Sequence, residues 1–205
     1  MPQEDTIART IAGTPTETVT GKPLLPALKT ERTRLIPLVV SNAHLIYQYY
    51  LDNLEHLYTW DDPASANAFS LETWQTYADW ALEQYHENQQ IEFIVTDPKQ
   101  KEMLALCSFN SIRPAPFSSC ELGFSIALKH QGKGMMFEAL ERAIAYLFDS
   151  TDIHRIIATY HPDNLRSAAL LERLGFEQEG LAKSYKKLGD GREDHMITAL
   201  IKPTS

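Results

Sequence analysis

Apolar residues recur along this chain with two periods, and the switch between them divides it into helices and strands. Leu71, Trp74, Ala78, Ala81, Leu82 and Tyr85 fall three, four and seven positions apart, the stripe of an amphipathic helix over about 71–87. A second stripe, Met136, Ala139, Leu140, Ala143, Ile144, Leu147 and Phe148, predicts a helix over about 134–148. A helix is also expected from about Ser41, a good N-cap, through Leu51. Another, over 164–174, ends at Gly175, a suitable C′ residue. Strands are expected at 34–38, 92–96, 103–110, 120–128, 153–160, 176–182 and 195–201. The turn Asp97-Pro98-Lys99-Gln100 makes a hairpin, and Gly189-Asp190-Gly191 joins the last two strands. Strand 120–128, helix, strand 153–160 is a crossover, so these two strands are expected to be parallel with a right-handed connection. The fold class is α+β: a mixed, mostly antiparallel sheet of about seven strands with one parallel crossover and about four helices.

Two stretches fall outside the pattern. Residues 1–29 hold Pro2, Pro15, Pro23 and Pro26 without a sustained period, and read as a flexible or loosely docked extension with a short helix around Ile7 to Ile11. Residues 52–68 read as a polar, Pro-containing loop carrying Trp60. The domain proper is thus expected over 30–205.

With 43% hydrophobic residues, the 205-residue chain can bury a real core, which excludes a disordered protein. The net charge of -8 disfavours a sequence-independent nucleic-acid binder, whose affinity comes mostly from neutralising phosphates. Three acids and three bases cancel within residues 1–29, so the acidity belongs to the domain and suits a cationic acceptor. Cys107 and Cys120 lie in apolar stretches, as buried reduced thiols would. The N-terminus lacks a basic segment followed by an apolar one, and no apolar run approaches the ~20 residues that span a membrane. A cytoplasmic protein, monomer or homodimer, is expected. His154, His161 and His195 are scattered over different elements, so no metal is expected, and Lys183, Lys186 and Lys187 read as a solvated basic run.

The candidate chemistry lies between the crossover's first strand and its helix, in Leu128-Lys129-His130-Gln131-Gly132-Lys133-Gly134-Met135-Met136-Phe137. Gly132 and Gly134 let backbone approach a ligand closely, and successive N–H groups at a helix N-terminus point at an anion. A pyrophosphate is the natural guest. The spacing is not a P-loop, and the third glycine of a dinucleotide fold is replaced by Phe137. Downstream stand Asn164-Leu165-Arg166-Ser167 and then Gly175-Phe176.

Together these motifs resemble the GNAT acetyltransferases, which transfer an acetyl group from acetyl-CoA to amines. That family's loop reads Gln/Arg-x-x-Gly-x-Gly/Ala, followed on a later helix by Asn-x-x-Ser/Ala and a Gly-Phe pair. The likeness runs from about Thr30 to Ile201. One position departs: Lys129 stands where the pattern has Gln or Arg. Thr30-Glu31-Arg32, Leu57 with Trp60, and Glu121-Leu122-Gly123-Phe124-Ser125-Ile126 look like the Rim-type branch. Gln131-Gly132-Lys133-Gly134 and His154-Arg155-Ile156 resemble its RimJ type, whose members acetylate the N-terminal alanine of a small-subunit ribosomal protein.

The resemblance implies that acetyl-CoA lies between the two crossover strands. Its pyrophosphate would rest on N–H groups of Gln131, Gly132, Lys133, Gly134, Met135 and Met136, and its pantetheine along Phe124, Ser125 and Ile126 beside Asn164 and Ser167. Transfer needs a base for the ammonium and a donor for the departing thiolate. Glu121 and Ser167 are the candidates, with a strand N–H stabilising the carbonyl oxygen. Trp60 and Tyr58 would wall the acceptor site. The implied partner is a peptide or protein N-terminus, of a ribosomal protein, with no direct nucleic-acid or membrane contact. Because one fold serves many amines, the alternatives are a polyamine or aminoglycoside acetyltransferase, or an acyl-CoA-binding, ribosome-associated protein with secondary catalysis.

Overall fold

Strands carrying apolar residues on both faces need cover on both sides, and the fold supplies it. The computed structural model describes residues 18–19, 22–60, 70–189 and 191–203. Among these an eight-stranded sheet comprises β1 (Leu28–Lys29), β2 (Arg34–Pro37), β3 (Ile91–Thr96), β4 (Met103–Arg113), β5 (Ser119–Ile126), β6 (Arg155–Tyr160), β7 (Glu177–Leu188) and β8 (Gly191–Ile201). The spatial order is β1-β2-β3-β4-β5-β6-β8-β7, and every neighbouring pair is antiparallel except β5 and β6. The helices are α1 (Ala43–Leu57), α2 (Leu71–His86), α3 (Met135–Ser150) and α4 (Leu165–Arg173). As expected, α3 is the crossover between the parallel pair.

Phe93 and Val95 of β3 face one side of the sheet and Ile94 the other, as a period of two dictates. The first side carries Leu35, Phe109, Cys120, Leu122 and Ile156 and is covered by α3, whose expected stripe is buried throughout. Burying each of the larger of these side chains contributes roughly 1.5–3 kcal/mol, so packing rather than helix propensity holds the crossover in place. On the second side Ile36, Leu38, Ile94 and Met103 meet Ala43, Ile46 and Tyr49 of α1 and Ala78 of α2. Both cysteines are buried free thiols, and burial pushes that of Cys120 up to about 12, which keeps it inert.

Several boundaries differ from the sequence expectation. Ser41 does not cap α1. A 3₁₀ turn, Val40–Asn42, intervenes, and Asn42 closes it by accepting from the Val39 N–H at 2.9 Å and donating to the Pro37 carbonyl at 2.9 Å. Helix α1 continues past Leu51 to Leu57 because its polar Asn53 is buried and satisfied, its Nδ2 donating to Tyr49 O at 2.9 Å and its Oδ1 accepting from Leu128 N–H at 2.9 Å. Strand β5 stops at Ile126, with a 3₁₀ turn over Leu128–His130, and β6 begins at Arg155. The last hairpin is longer than its apolar alternation implies, and Lys183, Lys186 and Lys187 lie along β7. The eighth strand, β1, comes from the stretch read as extension, where Leu24, Leu25 and Leu28 are buried. The short helix expected near Ile7, most of the loop after Trp60, and Asp190 lie outside the described residues.

Candidate active site

Strands β5 and β6 pair only from Ser119–Arg155 to Leu122–Ala158. Beyond that point β5 stays bonded to β4 as far as Ile126, while β6 follows β8 as far as Tyr160. The two strands therefore part, and the edge of β5 over Phe124, Ser125 and Ile126 has no strand partner on the β6 side. Backbone polar groups there demand hydrogen bonds, which an extended ligand arm can supply. Helix α1 fixes this stretch from above, Tyr49 Oη lying 2.8 Å from Ser125 Oγ.

The parted strands open onto the glycine loop. Gly132 and Gly134 have φ of +70° and +76°, a conformation that side-chain-bearing residues rarely adopt. A Cβ on Gly132 would meet nothing within 4 Å, so this face of the loop is open to a ligand. Gly134 is the N-cap of α3, and the first helical bond is that of the Glu138 N–H to Gly134 O at 3.2 Å. The N–H groups of Gly132, Lys133, Gly134, Met135 and Met136 precede it at the positive end of the helix dipole, an arrangement that fits a pyrophosphate. Gln131 differs from the expectation, because its N–H is engaged by Leu128 O at 3.2 Å in the preceding 3₁₀ turn. Its side chain faces the site instead.

Groups far away in sequence hold this loop in shape. Arg32 donates from Nη1 to Lys133 O at 2.8 Å and from Nε to Glu138 Oε2 at 2.7 Å, and its N–H reaches Glu138 Oε1 at 2.8 Å. Partial burial works to raise the Glu138 carboxyl, but hydrogen bonds from Thr30 and Arg32 and the guanidinium charge outweigh it and hold it below the ordinary range. Lys129, the departure from the family pattern, turns away to pair with Glu102, whose carboxyl this lysine holds low. Nothing in the sequence signalled the roles of Arg32 or Asn53, because each acts on a residue 75 or more positions away.

The opposite wall of the opening is α4. Asn164 is its N-cap, Oδ1 accepting from Ser167 N–H at 3.1 Å, which leaves Nδ2 without a hydrogen bond among the described residues, and Ser167 is half-buried on the first turn. Glu121 lies on β5 one residue before pairing with β6 ends, between Asn110 and Ile157, with its side chain exposed. Trp60, just after Tyr58 at the end of α1, comes to 5.7 Å from the His161 ring. His161 and His195, expected to be scattered, meet with ring centroids 6.1 Å apart, because β8 pairs with β6 and brings the two strand ends together. His161 Nε2 is also 3.6 Å from Glu193 Oε2. No group of three or more metal-ligating side chains gathers among the described residues.

A glycine-cornered helix N-terminus beside two parallel strands that part is the arrangement expected of an acyl-CoA-dependent acyltransferase, and the comparisons with known proteins assign the chain to that class. The chain belongs to the GNAT acetyltransferase family, whose domain model matches residues 32–177. It is 36% identical to the ribosomal protein uS5-alanine N-acetyltransferase of Escherichia coli over 181 residues, which are 87% of this chain and 93% of that protein. The crystal structure of the ribosomal-protein-S5-alanine acetyltransferase of Vibrio fischeri superposes with a TM-score of 0.82 at 31% identity, over 87% of this chain and 100% of the other. Mycobacterium smegmatis RimJ, solved with CoA-disulfide, shares the fold with a TM-score of 0.77 at 22% identity over 82% of this chain and 81% of the other. The protein is an N-acetyltransferase that uses acetyl-CoA.

Proposed function

We propose that the acceptor is the N-terminal amine of a protein, an alanine at the start of a ribosomal protein, acetylated by direct transfer in the cytoplasm. The observation that carries this reading is the extent of the likeness to the Escherichia coli uS5-alanine enzyme. The match runs over 181 residues, 87% of this chain and 93% of that enzyme, so the resemblance is not confined to the cofactor motif. Acidic Asp163 and Glu193 around His161 suit a cationic amine at this mouth.

Acetyl-CoA supplies an activated acyl group as a thioester; the chain does the rest. Glu121 takes the proton of the ammonium, directly or through a water, freeing the nitrogen lone pair for attack. N–H groups of the unpaired β5 edge at Phe124, Ser125 and Ile126 stabilise the carbonyl oxygen as it becomes negative. The C–N bond forms as the C–S bond breaks, and the second proton shed by the nitrogen passes to the leaving sulfur through Ser167, whose Oγ gives its proton to the thiolate and takes that of the nitrogen. Asn164 Nδ2 positions the pantetheine, and Trp60 with Tyr58 walls the acceptor.

The test is thiol release from acetyl-CoA with peptides starting in Ala or Ser, spermidine and an aminoglycoside. Turnover is expected with the Ala peptide. Turnover confined to the small amines, or none with any amine despite cofactor binding, overturns the reading.

A further inference from the structure

Helix α4 turns two arginines toward the loop across the cleft. Arg166 and Arg173 are seven positions apart and so share one face of the helix. Arg173 lies over the Phe137 ring of α3 with its guanidinium carbon 3.8 Å from the centroid, which ties the far end of α4 to the helix behind the loop. Arg166 spans the opening itself. Its Nη1 donates to Gln131 Oε1, and Gln131 Nε2 lies 2.7 Å from His56 Nε2 of α1. An exposed guanidinium therefore ends on a neutral amide at the lip of a cradle built for an anion.

Three other cations near the loop are committed: Lys129 is paired with Glu102, Arg32 with Glu138 and the Lys133 carbonyl, and Arg173 with Phe137, while Lys133 belongs to the loop itself. Arg166 forms no ion pair among the described residues. A charge-assisted bond is about twice as strong as one to a neutral acceptor, and the guanidinium fork matches phosphate geometry. Since the Gln131 N–H is already bonded to Leu128 O, the loop's first expected backbone donor is missing at the point that Arg166 reaches.

We propose that Arg166 is a phosphate-binding residue of the cofactor site: it rests on the Gln131 side chain in the free enzyme and exchanges that amide for a pyrophosphate oxygen of CoA. Rigid-body closure is not required, because Arg166 already reaches the loop and only its acceptor changes.

Calorimetric titration of the full chain with CoA, dephospho-CoA and millimolar pantetheine, at low and high salt, tests this. Arg166→Ala is expected to weaken CoA and dephospho-CoA alike by ~10-fold or more, to leave pantetheine binding as it is, and to flatten the salt dependence. Arg166→Lys, which keeps the charge but not the fork, is expected to fall between. Unchanged CoA affinity in Arg166→Ala overturns the proposal. An equal loss for phosphate-free pantetheine also overturns it, since Arg166 would then merely hold α4 in place. A loss for CoA but not for dephospho-CoA moves the contact to the 3′-phosphate and refutes the pyrophosphate assignment.

Discussion

Replacing Glu92 by glutamine is expected to remove the loss of stability that this carboxyl imposes on the protein as pH rises from 5 to 8. Glu92 lies on β3 beneath α2 and is 7% exposed. Tyr77 Oη at 2.9 Å and Gln90 Nε2 at 3.0 Å both donate to Oε2, while buried Oε1 has no hydrogen-bond partner among the described residues. Burial raises its pKa from 4.5 to about 7, against a smaller pull downward from the two hydrogen bonds. A raised folded-state pKa means that the native protein holds this proton more tightly than the unfolded chain does. The resulting stabilisation is complete below pH 4.5 and is lost as pH climbs through 7. At about 1.4 kcal/mol per pH unit, the full span amounts to about 3 kcal/mol, most of which falls between pH 5 and pH 8. Urea denaturation of both proteins at the two pH values isolates this contribution, because every other group titrates in both. Glutamine can keep the Tyr77 bond through its amide oxygen, and Gln90 can turn its own oxygen to meet the new NH₂. The wild type should lose roughly 2–3 kcal/mol more than Glu92→Gln over this range; parallel pH profiles would show that the carboxyl is not buried as a neutral acid.

Gly134→Val places a β-branched side chain at φ +76°, with its Cβ 3.5 Å from Arg32 Nη2. Strain of about 1–2 kcal/mol should lower Tm by several degrees, and CoA affinity should fall; unaltered affinity would remove this loop from the phosphate site. Glu121→Gln is expected to lower kcat by roughly 10²-fold or more with little change in the KM for acetyl-CoA, the loss typical of a general base, and an unaltered rate would make Glu121 structural. Trp60→Ala should raise the KM for an Ala-starting peptide several-fold while sparing that for acetyl-CoA. The reverse pattern in steady-state kinetics would place Trp60 outside the acceptor site.

Wherever a local pattern had a single explanation, the sequence was a reliable guide. The α3 stripe is buried at every expected position, the Asp97 turn accepts the N–H groups of Lys99, Lys101 and Glu102, and Gly175 has the positive φ of a helix C′ residue. Expectations failed where polarity was answered from elsewhere in the chain. Asn53 looked like the start of a loop, but Leu128, 75 positions on, meets its side chain and keeps it inside α1. Ser41 looked like a cap, but a 3₁₀ turn takes its place, closed by Asn42 reaching back to Pro37 and Val39. The two long C-terminal strands read short because their outer halves are polar on both faces and only their mutual pairing defines them.

The site divides along the same line. Residues proposed for the site on backbone conformation or position within one element, namely Gly132, Gly134, Asn164 and Ser167, are legible in local spacing and the motif they form. Residues that act by meeting others did not, since Arg32 with Glu138, Gln131 with Arg166, and His161 with His195 are joined only by the fold. Sequence by itself determined the periods, the turns, the crossover and the glycine corner, because steric limits and hydrophobic periodicity act over a few neighbouring residues. Tertiary structure alone decided that β5 and β6 part after Leu122 and that α4 lies across from the loop, because strand pairing and helix packing are set by which distant apolar faces bury one another.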